Sequence, residues 1–263
     1  MTKQSIRSLQ QAKENNQKFA SVTAYDSTFS RLADEAGTEC ILVGDSLGNV
    51  IQGKRSTVPV TMPEMLYHTE NVARGCTQAL LMADMPFMSY ATPEQAIANA
   101  AELMQSGAQM VKMEGASWLV DSVAFLSERG IPLCGHLGLL PQSVDKVGGY
   151  RVQGKDPESA EKMLADARDY EAAGADMLLL ECVPAELAKR ITEAASIPVI
   201  GIGAGPHTDS QVLVMYDLLG MSSKTPSFVK NYMASANSVQ EALSNYVTDV
   251  RNGSFPNADY CIA

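Results

Sequence analysis

Short apolar runs recur along the chain with hydrophobic residues at both even and odd positions, which is typical of strands buried on both faces of a parallel sheet. Three of these runs begin at a small residue and glycine and end at an acid: AGTECILVGD (36–45), SGAQMVKME (106–114) and AGADMLLLE (173–181). Three more run from Ala or Pro into apolar residues: ALLMADMPF (79–87), IPLCGHLG (131–138) and IPVIGIGAG (197–205). With FASVTAYD (19–26) at the start and QVLVMYD (211–217) at the end, the pattern predicts eight strands.

Helix signals lie between these runs. The segment 92–107 starts with Thr at the capping position and Pro in the first turn, and it ends at glycine. The segment 156–174 has a similar start and stop, with apolar residues at helical spacing. A helix, a glycine turn, a strand and an acid thus repeat as one unit. Eight such units on 263 residues predict an α/β fold, a single (β/α)8 TIM barrel domain over 1–263 with 224–263 as a C-terminal helical extension.

Two segments are too long for a minimal turn between a strand and the next helix. The segment 46–69 follows the second strand, and 141–157 is a similar glycine-rich insert after the fifth strand. The loops that follow the strands of such a barrel all open on one face, where the active site is built. We therefore expect 46–69 to overhang that face as a lid or wall.

Composition narrows the class of protein. Hydrophobic residues make up 46% of the chain and charged residues 19%, which is an ordinary globular balance with enough apolar material for a large core. The net charge of -10 argues against nucleic acid and against an anionic membrane surface as partners. The five cysteines form no CxxC pair, and no apolar stretch is long enough to span a bilayer. We expect a cytoplasmic protein in a reducing compartment.

Four otherwise apolar strands end in a carboxylate: Asp45, Asp84, Glu114 and Glu181. In a parallel barrel these ends meet on one face, so the side chains are expected to converge. Several buried carboxylates cannot all stay ionised without a cation near them. A hard divalent ion held by Asp and Glu oxygens, with water completing its shell, satisfies that requirement.

Each of these acids also has a structural interpretation. A single Asp after a strand is often a helix cap, and this is the favoured interpretation of Asp26 taken alone. Lys112 lies two residues before Glu114 and shares its face of the strand, so it suits either a substrate carboxylate or a structural ion pair with Glu114. His136 ends the fifth strand, where a neutral imidazole is suited to act as a ligand or hydrogen-bond donor.

Ordered motifs along almost the whole chain carry a resemblance to a known family. They are TAYD, VGDSLG, LLMADMPFMSYATPE, MVKMEG, GHLGLLPQS, GYRVQG, LLLECVP, GIGAG and, further on, LLG followed by FVKNY. The chain resembles the ketopantoate hydroxymethyltransferase (3-methyl-2-oxobutanoate hydroxymethyltransferase) family. The resemblance implies a (β/α)8 barrel, a Mg²⁺ ion, 5,10-methylenetetrahydrofolate as one-carbon donor and a homodecamer.

The resemblance also implies a role for each strand-end residue. Asp45 of VGDS and Asp84 of MADM look like the direct metal ligands, with Glu114 of KMEG linked to the metal site. Asp45 and Asp84 then also contact the keto acid, which Ser46 and Lys112 bind. Glu181 of LLEC looks like the proton acceptor, and His136 of GHLG is expected beside the substrate.

Three positions depart from the family pattern. Tyr216 stands where His is common, Ser210 where Gly is usual, and Asn49 where an apolar residue is frequent. None of these is a metal or base position, so they put in doubt only the shape of the opening through which the folate enters.

The resulting expectation is an enzyme of pantothenate biosynthesis. It moves a hydroxymethyl group from the folate to 3-methyl-2-oxobutanoate through a Mg²⁺-stabilised enolate and forms 2-dehydropantoate. The nearest alternative is another Mg²⁺ barrel, such as a C–C lyase of the isocitrate lyase and phosphoenolpyruvate mutase kind, whose cysteine loop the sequence lacks. A catalytically silent barrel that only supports an oligomer is the alternative from another class. The presence of Asp45, Asp84 and Glu181 argues against it.

Overall fold

Eight parallel strands close into a barrel in chain order in the computed structural model, which describes residues 3–262. The strands are β1 (Phe19–Thr23), β2 (Cys40–Val43), β3 (Leu80–Asp84), β4 (Met110–Glu114), β5 (Leu133–Gly138), β6 (Met177–Glu181), β7 (Val199–Ile202) and β8 (Ser210–Leu213). Each strand lies within or against one of the eight predicted runs, and β8 pairs with β1 to complete the ring. The predicted TIM barrel is confirmed.

Successive side chains of a strand point to opposite faces, so every strand contributes one series to the barrel interior and another to the helices outside. The inner series forms a compact apolar cluster that includes Leu80, Met82, Met110 and Met177. The outer series packs against the helices in the larger core. This alternation continues to the last residue of each strand. The acids that end β3, β4 and β6 therefore point into the barrel interior with the inner series.

The helices lie around and across this barrel. They are α1 (Ile6–Glu14), α2 (Ser27–Glu35), α3 (Leu47–Val50), α4 (Met62–Gly75), α5 (Pro93–Gln105), α6 (Val120–Ser127), α7 (Val144–Val147), α8 (Pro157–Ala172), α9 (Ala185–Ala194), α10 (Met215–Leu218) and α11 (Val239–Arg251). Both helices predicted from their start and stop signals are confirmed: Thr92 caps α5 and Asp156 caps α8, each accepting a hydrogen bond from a backbone N–H through its side-chain oxygen.

The end of the barrel opposite the strand carboxyl ends is covered by α1. Leu9 of this helix is fully buried against the apolar interior, beside Phe19 of β1. Lys13 pairs with Asp209 at 2.8 Å, just before β8. The interior is therefore sealed on this side, and the functional cavity has one open face.

The C-terminal segment 224–263 contains α11 and two short 3-10 helices within its described part. α11 packs against β1 and α2. The Tyr246 hydroxyl lies 2.8 Å from the backbone carbonyl oxygens of both Ser21 and Gln211, on the adjacent strands β1 and β8. These contacts tie the segment to the outer wall, and on this basis we propose that the segment and the barrel form one domain.

The two long inserts follow β2 and β5. The first forms α3, a turn-rich stretch and the start of α4, and its residues Ser46, Asn49, Val50 and Thr57 line the main cavity. The second forms a 3-10 turn, α7 and an extended stretch, and it contributes Pro141 and Tyr150 to the same cavity. The first insert thus forms part of the cavity wall.

Candidate active site

A cavity of about 800 Å³ opens at the carboxyl ends of the strands. It brings together all seven residues proposed from the sequence: Asp45, Ser46, Asp84, Lys112, Glu114, His136 and Glu181. Strand register explains the convergence. Asp84 lies opposite Lys112 across β3 and β4, and Glu114 lies opposite His136 across β4 and β5. Neighbouring strand ends therefore place their polar side chains in one layer above the apolar interior.

Lys112 is the cation of this layer and is almost fully buried. Its Nζ lies 2.6 Å from Asp84 Oδ1 and 3.7 Å from Glu114 Oε1. Burial works against its charge, but the charges of Asp84 and Glu114 outweigh it and raise the pKa of Lys112 above its ordinary value. The ammonium therefore stays protonated, and its shorter ion pair is with Asp84 rather than with the expected partner Glu114.

Asp45 and Asp84 are held close together. The backbone N–H of Asp45 donates to Asp84 Oδ2 at 2.9 Å. Burial raises the pKa of Asp45 well above its ordinary value, and the charges of Asp84 and Glu114 raise it further. Burial also raises the pKa of Asp84, against the opposing charge of Lys112. Both carboxyls therefore resist ionisation unless more positive charge enters the site.

The charge and the geometry around Asp45 and Asp84 make this aspartate pair a suitable site for a divalent ion. The four strand-end carboxylates lie around the ammonium of Lys112 on the floor of the cavity. Asp84 Oδ1 is buried and pairs with Lys112 Nζ at 2.6 Å, a contact that lacks the alignment of a hydrogen bond. No three His, Cys, Asp or Glu side chains among residues 3–262 are arranged to hold a metal by themselves. Two carboxylates with open positions for water and substrate oxygens match the preference of Mg²⁺, which retains several waters.

Glu114 and His136 interact beside this pair. His136 Nδ1 lies 3.5 Å from Glu114 Oε1 and 3.1 Å from Lys112 Nζ. Burial opposes ionisation of Glu114, but its contact with His136 and the charge of Lys112 keep its pKa below the ordinary value. Burial and the charge of Lys112 lower the pKa of His136. The cluster is therefore an ionised Glu114 beside a neutral imidazole.

Glu181 lies across the cavity from the aspartates. Its Oε2 is 3.4 Å from His136 Nε2. Burial, together with the charge of Glu114, raises its pKa to about 8. The carboxyl is positioned by the close approach of β5 and β6: Gly138 has φ +94°, and a Cβ there would overlap the Glu181 carbonyl oxygen. A carboxylate with a pKa near neutrality is suited to act as a general base.

Several polar residues in the layer went unrecognised in the sequence. Gln142 donates its side-chain amide to Asp45 Oδ2, and Tyr90 contacts both Gln142 and Glu114. The Tyr25 hydroxyl lies 2.8 Å from Ser46 Oγ. Gln142 follows a proline at the start of a 3-10 turn, and nothing in its spacing shows which way the side chain points.

Asp26, which was considered from the sequence, and His68 both lie outside this layer. Asp26 accepts hydrogen bonds from the backbone N–H groups of Thr28 and Phe29, so it caps α2, as its structural interpretation held. His68 Nδ1 contacts the carbonyl oxygen of Tyr25 at 2.7 Å from the side of α4. Neither residue lines the cavity.

Comparison with known proteins identifies the family. The model of the family described as ketopantoate hydroxymethyltransferase matches residues 3–258. A 3-methyl-2-oxobutanoate hydroxymethyltransferase 2 of Hahella chejuensis is 58% identical over 95% of this chain and 96% of its own length. A 3-methyl-2-oxobutanoate hydroxymethyltransferase of Edwardsiella ictaluri is 56% identical over 97% of both chains. The chain belongs to the ketopantoate hydroxymethyltransferase family.

Solved structures of low sequence identity share the barrel of this family. A phosphonopyruvate hydrolase crystallised with oxalate and Mg²⁺ superposes with a TM-score of 0.62, at 14% identity over 81% of each chain. A 2,3-dimethylmalate lyase of the PEP mutase/isocitrate lyase superfamily gives a TM-score of 0.59, at 18% identity over 82% of each chain. At this identity the likeness concerns the fold alone.

The outer part of the cavity contains one of the positions that depart from the family pattern. Tyr216 lies within 5.9 Å of the rings of Tyr25 and Phe29, measured between centroids. It lines the opening together with Met221 and Phe228. Ser210 is buried below this level and contacts Ser21 at 2.9 Å. The outer wall therefore combines the apolar surface of Tyr216, Met221 and Phe228 with polar residues such as Asp217 and Lys224.

Proposed function

We propose that this member of the ketopantoate hydroxymethyltransferase family transfers a hydroxymethyl group from 5,10-methylenetetrahydrofolate to 3-methyl-2-oxobutanoate, forming 2-dehydropantoate for pantothenate biosynthesis. One observation carries the proposal: a buried carboxyl with a pKa of about 8, Glu181, shares a cavity with the aspartate pair Asp45 and Asp84 and with the ammonium of Lys112. A base, a metal site and an anion-binding cation are what proton removal next to a keto group requires.

Asp45 and Asp84 would hold the Mg²⁺ directly, and Glu114 would be linked to the metal site. A bound Mg²⁺ supplies Lewis-acid polarisation of the keto group. The charges already present support this assignment, because a divalent ion would offset the burial and the like charges that raise the pKa values of both aspartates. Lys112 holds Asp84 in place through their ion pair.

Lys112 and Ser46 bind the keto acid in this proposal, with Asp45 and Asp84 contacting it through the metal site. Lys112 attracts the substrate carboxylate because its ammonium is buried, protonated and shared among carboxylates that a divalent ion would neutralise. Ser46 is held by its hydrogen bond with Tyr25 at 2.8 Å, so its hydroxyl has a fixed position. His136 lies beside the substrate and next to Glu181.

Glu181 removes the proton from C3 of the keto acid. The apolar run of β6 before Glu181 and the burial of its side chain keep the carboxyl basic enough for this step. A positioned general base of this kind contributes about 10²–10⁴-fold to the rate. The C3 carbanion then forms a bond to the one-carbon unit of the folate. Both bonds from that carbon to the folate nitrogens break, water supplies the hydroxyl oxygen, and the proton from C3 and one proton from water end on the nitrogens of the departing tetrahydrofolate.

The folate binds in the outer part of the cavity. A volume of about 800 Å³ is at the upper end for a small-molecule site and exceeds the needs of a five-carbon keto acid. Tyr216, Met221 and Phe228 offer apolar surface to a ring system there, and Lys224 is the cation of the same wall. Tyr216 would therefore influence how the folate enters.

We also propose a cytoplasmic homodecamer whose partners are these small molecules, with neither nucleic acid nor membrane among them. All five cysteine thiols are free. No helix within residues 3–262 is both long and apolar enough to cross a membrane. Phe87, Met88 and Trp118 are exposed, as expected for a surface that associates. Light scattering is expected to give ten times the chain mass of 28.2 kDa, and a stable monomer would contradict the decamer.

The direct test is to incubate the protein with 3-methyl-2-oxobutanoate, 5,10-methylenetetrahydrofolate and Mg²⁺ and to follow 2-dehydropantoate by NMR. Product is expected only when all three are present. Glu181→Gln is the matched control, since it keeps the shape of the side chain but cannot accept a proton. Absence of product from a folded wild-type protein that binds the keto acid would refute the proposed reaction.

A further inference from the structure

Gln142 lies in the floor of the active site and is 5% exposed. Its side-chain amide nitrogen donates to Asp45 Oδ2 and to the backbone carbonyl of Met85, each at 2.9 Å. Its backbone N–H donates to Glu114 Oε2 at 3.0 Å. Its side-chain oxygen accepts from the Tyr90 hydroxyl. One residue from the loop after β5 thus contacts the ends of β2, β3 and β4.

The orientation of the amide follows from its neighbours. Asp45 Oδ2 and the Met85 carbonyl both accept hydrogen bonds, so the nitrogen of Gln142 must face them. The amide oxygen then faces Tyr90, whose hydroxyl also lies 3.1 Å from the backbone carbonyl of Glu114. Both neighbours of that hydroxyl are acceptors, and its single proton is shared between them. Tyr90 itself is 3% exposed, so this arrangement is fixed by packing.

These contacts determine which carboxylate oxygens of Asp45 and Glu114 are already hydrogen-bonded. Gln142 occupies Oδ2 of Asp45 and leaves Oδ1 for a ligand. Its backbone occupies Oε2 of Glu114, while Oε1 faces Lys112 and His136. A donated hydrogen bond to a carboxylate favours the ionised form, which for Asp45 opposes the effect of burial.

We propose that Gln142, oriented by Tyr90, is a positioning residue that presents Asp45 and Glu114 to the divalent ion. The inference rests on the metal site of the proposed function. Groups that hydrogen-bond to metal ligands fix the orientation of those ligands, and their loss typically reduces metal affinity about 10–100-fold. The side chain acts on Asp45, whereas the backbone contact with Glu114 survives any substitution that keeps an N–H.

The test compares three variants by Mn²⁺ binding, measured by electron paramagnetic resonance with keto acid present and folate absent. Gln142→Met keeps the length of the side chain but donates no hydrogen bond. Tyr90→Phe removes one hydroxyl. Gln211→Met is the matched control, because Gln211 is equally buried and donates to Gly205 and Thr208, outside the cavity.

Gln142→Met is expected to bind Mn²⁺ about 10–100-fold more weakly than the wild type, and Tyr90→Phe more weakly by a smaller factor. Gln211→Met is expected to lower the melting temperature while leaving Mn²⁺ affinity unchanged, which separates positioning from general destabilisation. In steady-state kinetics, Gln142→Met should raise the Mg²⁺ concentration needed for half-maximal rate more than it lowers the rate at saturating Mg²⁺.

The binding experiment distinguishes failure of the proposed metal site from failure of the role proposed for Gln142. If the wild-type protein binds no Mn²⁺, the metal site of the proposed function is refuted and this inference falls with it. If the wild type binds Mn²⁺ and Gln142→Met binds it equally well, only the role of Gln142 is overturned. Should Gln142→Met not fold, Tyr90→Phe decides the question, since wild-type affinity in that variant would overturn the inference.

Discussion

His136 Nε2 lies 3.4 Å from Glu181 Oε2, while Lys112 Nζ lies 3.1 Å from Nδ1 on the other side of the imidazole ring. Because a lysine ammonium can only donate, its contact with Nδ1 requires the tautomer with the ring proton on Nε2, whereas a hydrogen bond from Nδ1 to Glu114 requires the other tautomer. Burial and the charge of Lys112 keep the pKa of His136 low, so the ring stays neutral. In the tautomer with the proton on Nε2, that N–H group lies 3.4 Å from the Glu181 carboxyl without forming a hydrogen bond to it.

This relationship predicts the effect of His136→Phe on the base. His136→Phe removes the Nε2–H group that can donate to ionised Glu181, and hydrogen bonds to a charged group contribute about 1.5–3 kcal/mol. The pH midpoint of C3 hydrogen exchange in deuterated water is expected to move upward by about one to two pH units. Mn²⁺ binding serves as the control for an intact metal site. An unchanged midpoint would show that His136 does not act on Glu181.

The rate of C3 hydrogen exchange in the wild-type protein is expected to rise with pH. Glu181 must be ionised to accept a proton, so exchange should rise with pH and level off above its pKa. The ordinary value is 4.5, and burial raises the pKa to about 8. Asp45, Asp84 and Glu114 contribute to this rise through their charges, and a divalent ion would neutralise part of that charge. With saturating Mg²⁺, proton NMR should place the midpoint between these values, and a rate that falls with rising pH in that range would contradict the role of Glu181.

Sequence periodicity predicted most of this site because strands have a strict repeat of two. Once Met82 and Met110 are assigned to the interior, Asp84, Lys112 and Glu114 must follow on the same face. The eight strands followed from their apolar runs for the same reason. These conclusions depend only on local geometry and on the way parallel strands align their ends.

Contacts made by loops could not be predicted from the periodicity of the sequence. Gln142 lies in a 3-10 turn, and its link to Asp45 spans 97 positions of sequence. The Tyr25 hydroxyl reaches Ser46 across two different loops. Such pairings depend on how neighbouring loops pack together, which has no periodic signature. Likewise, the ion pair of Lys112 with Asp84 depends on the register of β3 against β4.

Asp45→Asn should separate metal binding from folding. Without metal, the amide removes a buried carboxyl whose pKa is raised by burial and like charges, so the melting temperature is expected to stay the same or rise. With free Mg²⁺ at 100 times its Kd, wild-type protein gains about 2.7 kcal/mol, or roughly 5–10 °C for a chain of this size. The variant should show no such gain in a thermal melt. An equal rise in melting temperature with Mg²⁺ in both proteins would show that Asp45 is not a metal ligand.

Met221→Ala tests the outer part of the cavity. Met221 lines the opening and is 59% exposed, so truncation should leave the fold intact. If the folate covers this side chain, loss of apolar contact should raise its KM roughly 10-fold, equivalent to about 1.4 kcal/mol. C3 hydrogen exchange needs no folate and should proceed at the wild-type rate. A normal folate KM would place the second substrate elsewhere.

Glu181→Gln and Asp84→Asn should give different patterns if the base and the metal site are separate. Glu181→Gln keeps the shape of the side chain but cannot accept a proton, so exchange of the C3 hydrogen of 3-methyl-2-oxobutanoate should fall by about 10²–10⁴-fold. Its Mg²⁺ and keto-acid binding should survive in calorimetry, because Glu181 contacts His136 rather than the aspartates. Asp84→Asn removes a proposed ligand and the partner of Lys112 at 2.6 Å, so it should lose binding and exchange together. If Glu181→Gln exchanges as fast as the wild type, another residue is the base, and His136 becomes the first candidate.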